Sequence, residues 1–223
     1  MVYLLAALLL CGLMFYPQYA TRRILRKHSQ PRSDFPGTGG EFARHLLERF
    51  SIHGVGVEPT EVGDHYDPRQ KMVRLSPGVY DGKSLTSVVV AAHEVGHAIQ
   101  DHRGSGGLRT RYRLAVVAQW FARGAQAATI LLPLATVNPG LMRLALVIIL
   151  VGVLLSTLVH LVTLPVEWDA SFNKALPILQ EGQYLAADDM LAARKILQAC
   201  AFTYVSASLG SLLGALRWIR WLR

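Results

Sequence analysis

Apolar positions in this chain are gathered into long runs rather than dispersed. Residues 2–16, 114–137, 144–164 and 199–216 are apolar segments, and a polar stretch containing many Gly and Pro residues occupies 17–113. The third run has the ~20 residues that a helix needs to cross a bilayer core. Asn138-Pro139-Gly140 is a turn signal, so the second and third runs predict a helical hairpin. Gln119, Arg123 and Gln126 interrupt the second run at i, i+4 and i+7, on one helical face that should avoid lipid. The first run is followed by Arg22, Arg23, Arg26 and Lys27 rather than preceded by charge, which predicts a retained transmembrane anchor over a cleaved signal peptide. The fourth run ends in Arg217, Trp218, Arg220, Trp221 and Arg223, a tail compatible with a span or with a helix lying at headgroup level.

Within the polar stretch the periodicities change. Phe42, Leu46, Leu47 and Phe50 share one face of an amphipathic helix over 41–50. Val55-Gly56-Val57 suggests a short strand, and 64–75 reads as two short strands around the turn at Pro68, with Met72, Val73 and Leu75 in the second. Ser84 is placed to cap a helix over 85–100 that is nearly free of breakers. The fold class expected is mainly α with a small β-sheet, an α+β domain interrupted by a transmembrane hairpin.

Composition supports a membrane protein, with 52% hydrophobic and 17% charged residues. The net charge of +8 does not argue for nucleic acid, because the basic residues, including Arg103, Arg109, Arg111 and Arg113, sit beside apolar runs where they face anionic lipid. The same bias places the polar stretch on the cytoplasmic side and the turn at Asn138 outside. Cys11 and Cys200 each lie inside an apolar run, so there is no disulfide framework and no Cys-x-x-Cys site.

Chemistry concentrates on the helix over 85–100, which carries His93-Glu94-Val95-Gly96-His97. Residues four apart lie one above the other on a helix, so both imidazoles can converge on one tetrahedral ion while Glu94 flanks its open position. A glutamate there can take the proton of an attacking water that zinc acidifies. The flanking Val88-Val89-Val90-Ala91-Ala92 and Ala98-Ile99 bury this helix, where imidazole and carboxylate are costly unless they bind something. Gly96 weakens the helix but lets another backbone come close to the site.

Two histidines leave one zinc ion a protein ligand short, and His102, His65, His160, Asp67, Glu167 and Asp169 are the candidates. Glu167 is preferred. It is expected to begin a new helical segment, with Pro165 in the first turn, where the hairpin returns to the cytoplasmic face. Asp169, two residues on, projects roughly 200° around the helix from Glu167 and is expected to orient a ligand imidazole instead. Tyr80 and His65 are candidates for stabilising an oxyanion. The strand over 72–75 is a candidate for pairing with an extended substrate at a sheet edge.

At these residues a family resemblance emerges. Asp64-His65-Tyr66-Asp67-Pro68, Val73-Arg74-Leu75-Ser76, Val79-Tyr80 and Ala91-Ala92-His93-Glu94-Val95-Gly96-His97-Ala98-Ile99-Gln100 resemble the YugP-type bacterial membrane zinc metallopeptidases. So do Leu164-Pro165-Val166-Glu167, Asp169-Ala170-Ser171 and Ala201-Phe202-Thr203-Tyr204-Val205. A looser likeness is to HtpX-type proteases, which place a transmembrane hairpin between the zinc helix and a downstream Glu ligand. Those carry an Asp four residues after that Glu, where this chain has Ser171.

The resemblance implies a zincin-like peptidase of the bacterial cell membrane, acting on protein or peptide substrates, with catalytic chemistry inferred from the motif. The expected organisation is an anchor at 1–16, a catalytic domain at 17–113, a hairpin at 114–164, a helical segment completing the site at 165–198 and a membrane-associated helix at 199–223. Two other classes fit the residues: a noncatalytic scaffold kept folded by zinc, and a zinc hydrolase of a nonpeptide amide. Glu94 separates the scaffold from the enzymes, because a purely structural site gains nothing from an unligated carboxylate.

Overall fold

The structure, a computed structural model, describes the backbone of residues 2–135 and 138–221. Its organising element is the helix that the motif occupies. Ser84 accepts a hydrogen bond from the backbone N–H of Ser87 at 3.1 Å and so starts helix α4 (Leu85–His102), after α1 (Val2–Lys27), α2 (Gly39–Arg49) and the short α3 (Pro77–Tyr80). Val89, Val95, Ala91 and Ala92 of α4 are fully buried, and each buried valine contributes about 1.5–3 kcal/mol relative to exposure. Helix α2 packs along α4 through Ala43, Leu46 and Leu47, with Phe42 and Phe50 half-buried beside them, as its periodicity predicts. Thr38 and Glu41 close a capping box at its start.

Three short strands cover another side of α4: β1 (Gly56–Pro59), β2 (His65–Asp67) and β3 (Met72–Leu75), in spatial order β1-β3-β2. β1 runs parallel to β3 and β2 antiparallel to it, with Tyr66 opposite Val73. Val73 and Leu75 point into the core, which explains why their strand is central. The expectation that 72–75 offers a free edge is therefore corrected: both sides of β3 are paired, and β2 is an edge of the sheet.

Helices α5 (Gly106–Ala135) and α6 (Pro139–Trp168) pair as a helical hairpin that begins before and ends after the apolar runs at 114–164, with the Asn138 side chain accepting from Gly140 N–H and Leu141 N–H. The helices approach closely where Gly152 lies against Ala125 and Phe121. Gln119, Arg123 and Gln126 are exposed, on the outside of this pair, and the Arg123 guanidinium lies 5.5 Å from the Trp120 ring centre.

Helix α6 does not stop at the end of the apolar run. It continues through a π-helical stretch (Asp169–Ala175) into α7 (Leu176–Glu181), a helical run of 43 residues that is long and apolar enough to cross a membrane. Glu167 thus lies inside a continuing helix rather than at the start of a new one. Pro165 costs that helix one backbone hydrogen bond, which a helix packed along a neighbour tolerates.

Helix α8 (Ala187–Trp221) returns along α6 and α1, and the Thr21 hydroxyl on α1 donates to the Ala199 carbonyl at 2.8 Å. Helix α1 is longer than the expected anchor and runs through Pro17, so Arg22, Arg23, Arg26 and Lys27 belong to it. The expectations for the arginine and tryptophan side chains at the C-terminal tail, and for Cys11, fall outside the described residues.

Candidate metal centre

Helical spacing and the return of α6 bring three sequence-distant groups together. His93, His97 and Glu167 each offer a ligand atom, and these atoms lie within 4.8 Å of one another. Glu167 Oε2 is 3.1 Å from His93 Nε2 and 3.5 Å from His97 Nε2. The two imidazoles meet edge to face, with ring centres 4.8 Å apart, so their Nε2 atoms converge rather than stack.

The outer nitrogens of both rings are held, each by a different device. Ser171 Oγ is 3.1 Å from His93 Nδ1, and it sits four residues after Glu167 on the same helical run. Its hydroxyl occupies the position where the HtpX-like pattern has an aspartate. Gln100 Oε1 is 2.9 Å from His97 Nδ1, while Gln100 Nε2 donates to the Val166 carbonyl at 2.9 Å and to Asp169 Oδ2 at 2.8 Å. With both amide hydrogens committed to acceptors, Gln100 can only present its oxygen to His97. His97 Nδ1 must therefore carry the proton, which leaves the Nε2 lone pair facing the cluster.

Asp169 accordingly acts through Gln100 and does not share the Glu167 position. Its other oxygen accepts from Asn173 and Lys174. The wide π-helical turn after Trp168 allows one helical run to direct Glu167, Ser171 and Asp169 at α4 from successive turns.

Gly96 is where this run touches α4: a Cβ there would lie 2.9 Å from the Ala170 carbonyl oxygen and 3.4 Å from Lys174 Cβ. The close backbone approach expected at Gly96 is thus present, and the approaching backbone belongs to the segment carrying Glu167.

Electrostatics tests whether this donor set suits a cation. Glu94 and Glu167 are both buried, with Glu167 only 2% exposed. Burial lifts the Glu94 carboxyl to about 7, with Glu167 and Asp64 adding to the effect and His93 and Arg111 opposing it. Arg111 Nη1 lies 2.7 Å from Glu167 Oε1 and forms an ion pair with it. Its N–H is not aimed along a hydrogen bond, so Oε1 is a buried oxygen without a hydrogen-bond partner among the described residues. The His97 Nε2 lone pair, a second imidazole nitrogen from His93 and an incompletely satisfied buried carboxylate are a donor set that suits a zinc ion.

The remaining expected residues divide clearly. His65 lines a cavity of about 530 Å³ together with His93, Glu94, His97 and Glu167, its Nδ1 held 2.7 Å from the Gly63 carbonyl. Asp67 lines the same cavity but is committed to Arg74 at 2.8 Å and to the N–H groups of Arg69 and Gln70. His102 is exposed at the end of α4, and His160 lies on α6 two turns before Glu167.

Tyr80 does not reach the cavity. Its hydroxyl accepts from Arg44 at 3.1 Å, and its ring packs near Gly40.

Four residues with a part in the site had not been singled out for it: Ser171, Gln100, Arg111 and Tyr204. Ser171 could have been found by its spacing of four from Glu167, and Gln100 by its spacing of three from His97. Arg111 had been grouped with lipid-facing charge, and only its contact with Glu167 separates it from its neighbours. Tyr204 on α8 also lines the cavity, and the signal for it was its place in the family-like run Ala201-Phe202-Thr203-Tyr204-Val205.

A buried helix carrying two imidazoles four residues apart is met by a glutamate from a later helix, a cluster able to hold a metal ion. The chain belongs to the family described as "putative neutral zinc metallopeptidase", which matches residues 2–223. It is similar to the "putative membrane protease YugP" of Bacillus subtilis (strain 168), at 34% identity over 98% of this chain and 96% of that protein. No solved structure matches.

Proposed function

We propose that this chain is a membrane-embedded metalloendopeptidase with one zinc ion held by His93, His97 and Glu167, and with Glu94 as general base. The observation that carries the reading is the convergence of two α4 imidazoles with a carboxylate 74 residues further on from His93, beside a second buried carboxylate that belongs to no ion pair among the described residues. Zinc, when bound, supplies Lewis acidity that acidifies water and polarises a carbonyl.

Glu94 accepts the proton of the attacking water and passes it to the leaving amine. His93 and His97 would hold the ion through Nε2, since Ser171 and Gln100 engage their Nδ1 atoms. Tyr204 lines the same cavity and carries a hydroxyl that can donate to an oxyanion, whereas His65, which lines it too, spends its Nδ1–H on the Gly63 carbonyl. An extended substrate adds to the free edge of β2, whose residues line that cavity.

Membrane or membrane-proximal proteins are the proposed substrates, because α6, which carries Glu167, is itself the apolar helix. A multi-pass arrangement with the α4 domain cytoplasmic follows from Arg22, Arg23, Arg26 and Lys27 and from Arg109, Arg111 and Arg113 at the non-turn ends of the apolar helices. The test is a comparison of membrane proteomes from cells carrying the native chain and Glu94→Gln. Full-length proteins that accumulate only with the variant are the expected result. Identical proteomes, together with unaltered zinc in the variant, support the scaffold reading instead.

A further inference from the structure

Two cavities meet at the catalytic cluster, and they differ in kind. The larger is walled by polar groups from β2 and its turn and from Arg111 and Tyr112 of α5. The second, about 220 Å³, also borders Glu94. It also reaches His93, Glu167, Asp64 and Tyr204, and its apolar wall comes from α1, α4 and α8, as Leu25, Val89, Val90, Ile196, Leu197 and Cys200, with the Thr21 and Thr203 side chains beside them.

These walls are fixed from three sides. Val89 is fully buried, Ile196 and Leu197 are 1% and 2% exposed, and the Thr21 hydroxyl ties α1 to α8 at the Ala199 carbonyl. The Thr86 hydroxyl ties α1 to α4 through the Leu25 carbonyl at 2.9 Å. A preformed apolar space next to the reacting centre is a binding element. A cavity of ~150 Å³ lined by such side chains already holds a benzene ring, so this one holds a branched aliphatic or phenyl side chain.

Resting on the peptidase reading above, we propose that this cavity is the specificity pocket. It receives an aliphatic or aromatic side chain of the substrate residue adjoining the scissile bond, while the rest of the chain crosses the polar cavity. The pocket excludes acidic side chains, because Asp64, Glu94 and Glu167 border it and its remaining walls offer no cationic partner. Two of its three walls are the helices that continue into the apolar runs, so the residue it receives suits a site at the border of a membrane segment.

Cys200 makes the pocket testable, since it lines the cavity and is not packed as tightly as Ile196. The experiment uses the zinc-loaded full chain in detergent, with Glu94→Gln as background for binding and Glu94 intact for cleavage. The probes are fluorescent peptides that differ at one position, carrying Gly, Leu, Phe or Asp.

In the Glu94→Gln background, Leu and Phe peptides should bind about tenfold or more tightly than Gly and Asp peptides. Adding Cys200→Phe, which fills the cavity, should erase that preference, and adding Cys200→Ala, which enlarges it, should shift it toward Phe. Bound zinc equal to the parent's certifies the fold of each variant. Equal binding of all four peptides, or a preference that neither Cys200 variant moves, overturns the proposal. Cleavage is read separately: a side-chain preference in binding without hydrolysis by the Glu94 protein leaves the pocket standing and removes the peptidase reading.

Discussion

Gly96→Ala is the sharpest perturbation of the contact between α4 and the segment bearing Glu167. The new methyl would sit 2.9 Å from the Ala170 carbonyl oxygen. Carbon and carbonyl oxygen ordinarily meet no closer than ~3.3 Å, so the two backbones must separate by about 0.4 Å. Neither partner is a flexible side-chain tip that could turn aside.

The substitution removes a helix glycine, worth about 1 kcal/mol of stabilisation, and overpacks a buried contact, which costs about 1–3 kcal/mol. The net effect on the fold is therefore between neutral and about 2 kcal/mol of destabilisation. The site takes a larger share of the damage, because Gly96 lies between His93 and His97 while Ala170 lies between Glu167 and Ser171. Separating the two segments loosens the Ser171 hydroxyl from His93 and moves Glu167 away from both Nε2 atoms.

Loss of such support costs metal sites about 10–100-fold in affinity. Purified Gly96→Ala should thus bind zinc at least about tenfold more weakly in competition with a chromogenic chelator, while its metal-free thermal midpoint stays within several degrees of the parent. Native zinc affinity, or the stability gain of an unhindered glycine-to-alanine change, refutes the reasoning.

Glu167→Ala should remove most bound zinc, whereas Asp169→Ala and Gln100→Leu should weaken it about 10–100-fold by releasing His97, as metal analysis of the purified variants will show; the reverse ranking transfers the ligand role to Asp169. The metal-free protein should lose stability as pH rises between 4.5 and about 7. The folded-state value of Glu94 lies above its unfolded one, so its contribution is fully present below 4.5 and is gone above about 7, by up to about 3 kcal/mol. Glu94→Gln should flatten that part of the profile in chemical unfolding between pH 5 and 8, and an unchanged slope contradicts the burial of a titrating carboxyl. A cysteine at position 138 should react with an impermeant reagent on intact cells and one at position 33 should not; the opposite pattern reverses the topology.

What the sequence determined by itself was local. The spacing of His93 and His97, the apolar face of α2, the Ser84 cap and the hairpin turn at Asn138 are read within one or two helical turns, where periodicity and capping act without help from distant residues. Glu167 was reachable as a candidate because an ion needs a third ligand and a hairpin returns to its starting side, and Ser171 and Gln100 stood at helical spacing from ligands, but which imidazole nitrogen each would meet was not readable.

The contacts that Ser171, Gln100 and Arg111 make exist only because α6 and its π-helical continuation lie against α4 and α5. Tyr80 sits in a motif-like run, yet packing turned it toward Arg44, away from the cavity. Strand order was equally invisible, since Met72–Leu75 reads the same at an edge or in the centre, and only pairing with both β1 and β2 makes it central. Pro165 signalled a helix start by its missing N–H, a preference worth a single hydrogen bond, and the packing of a long continuous helix against α5 and α8 outweighed it.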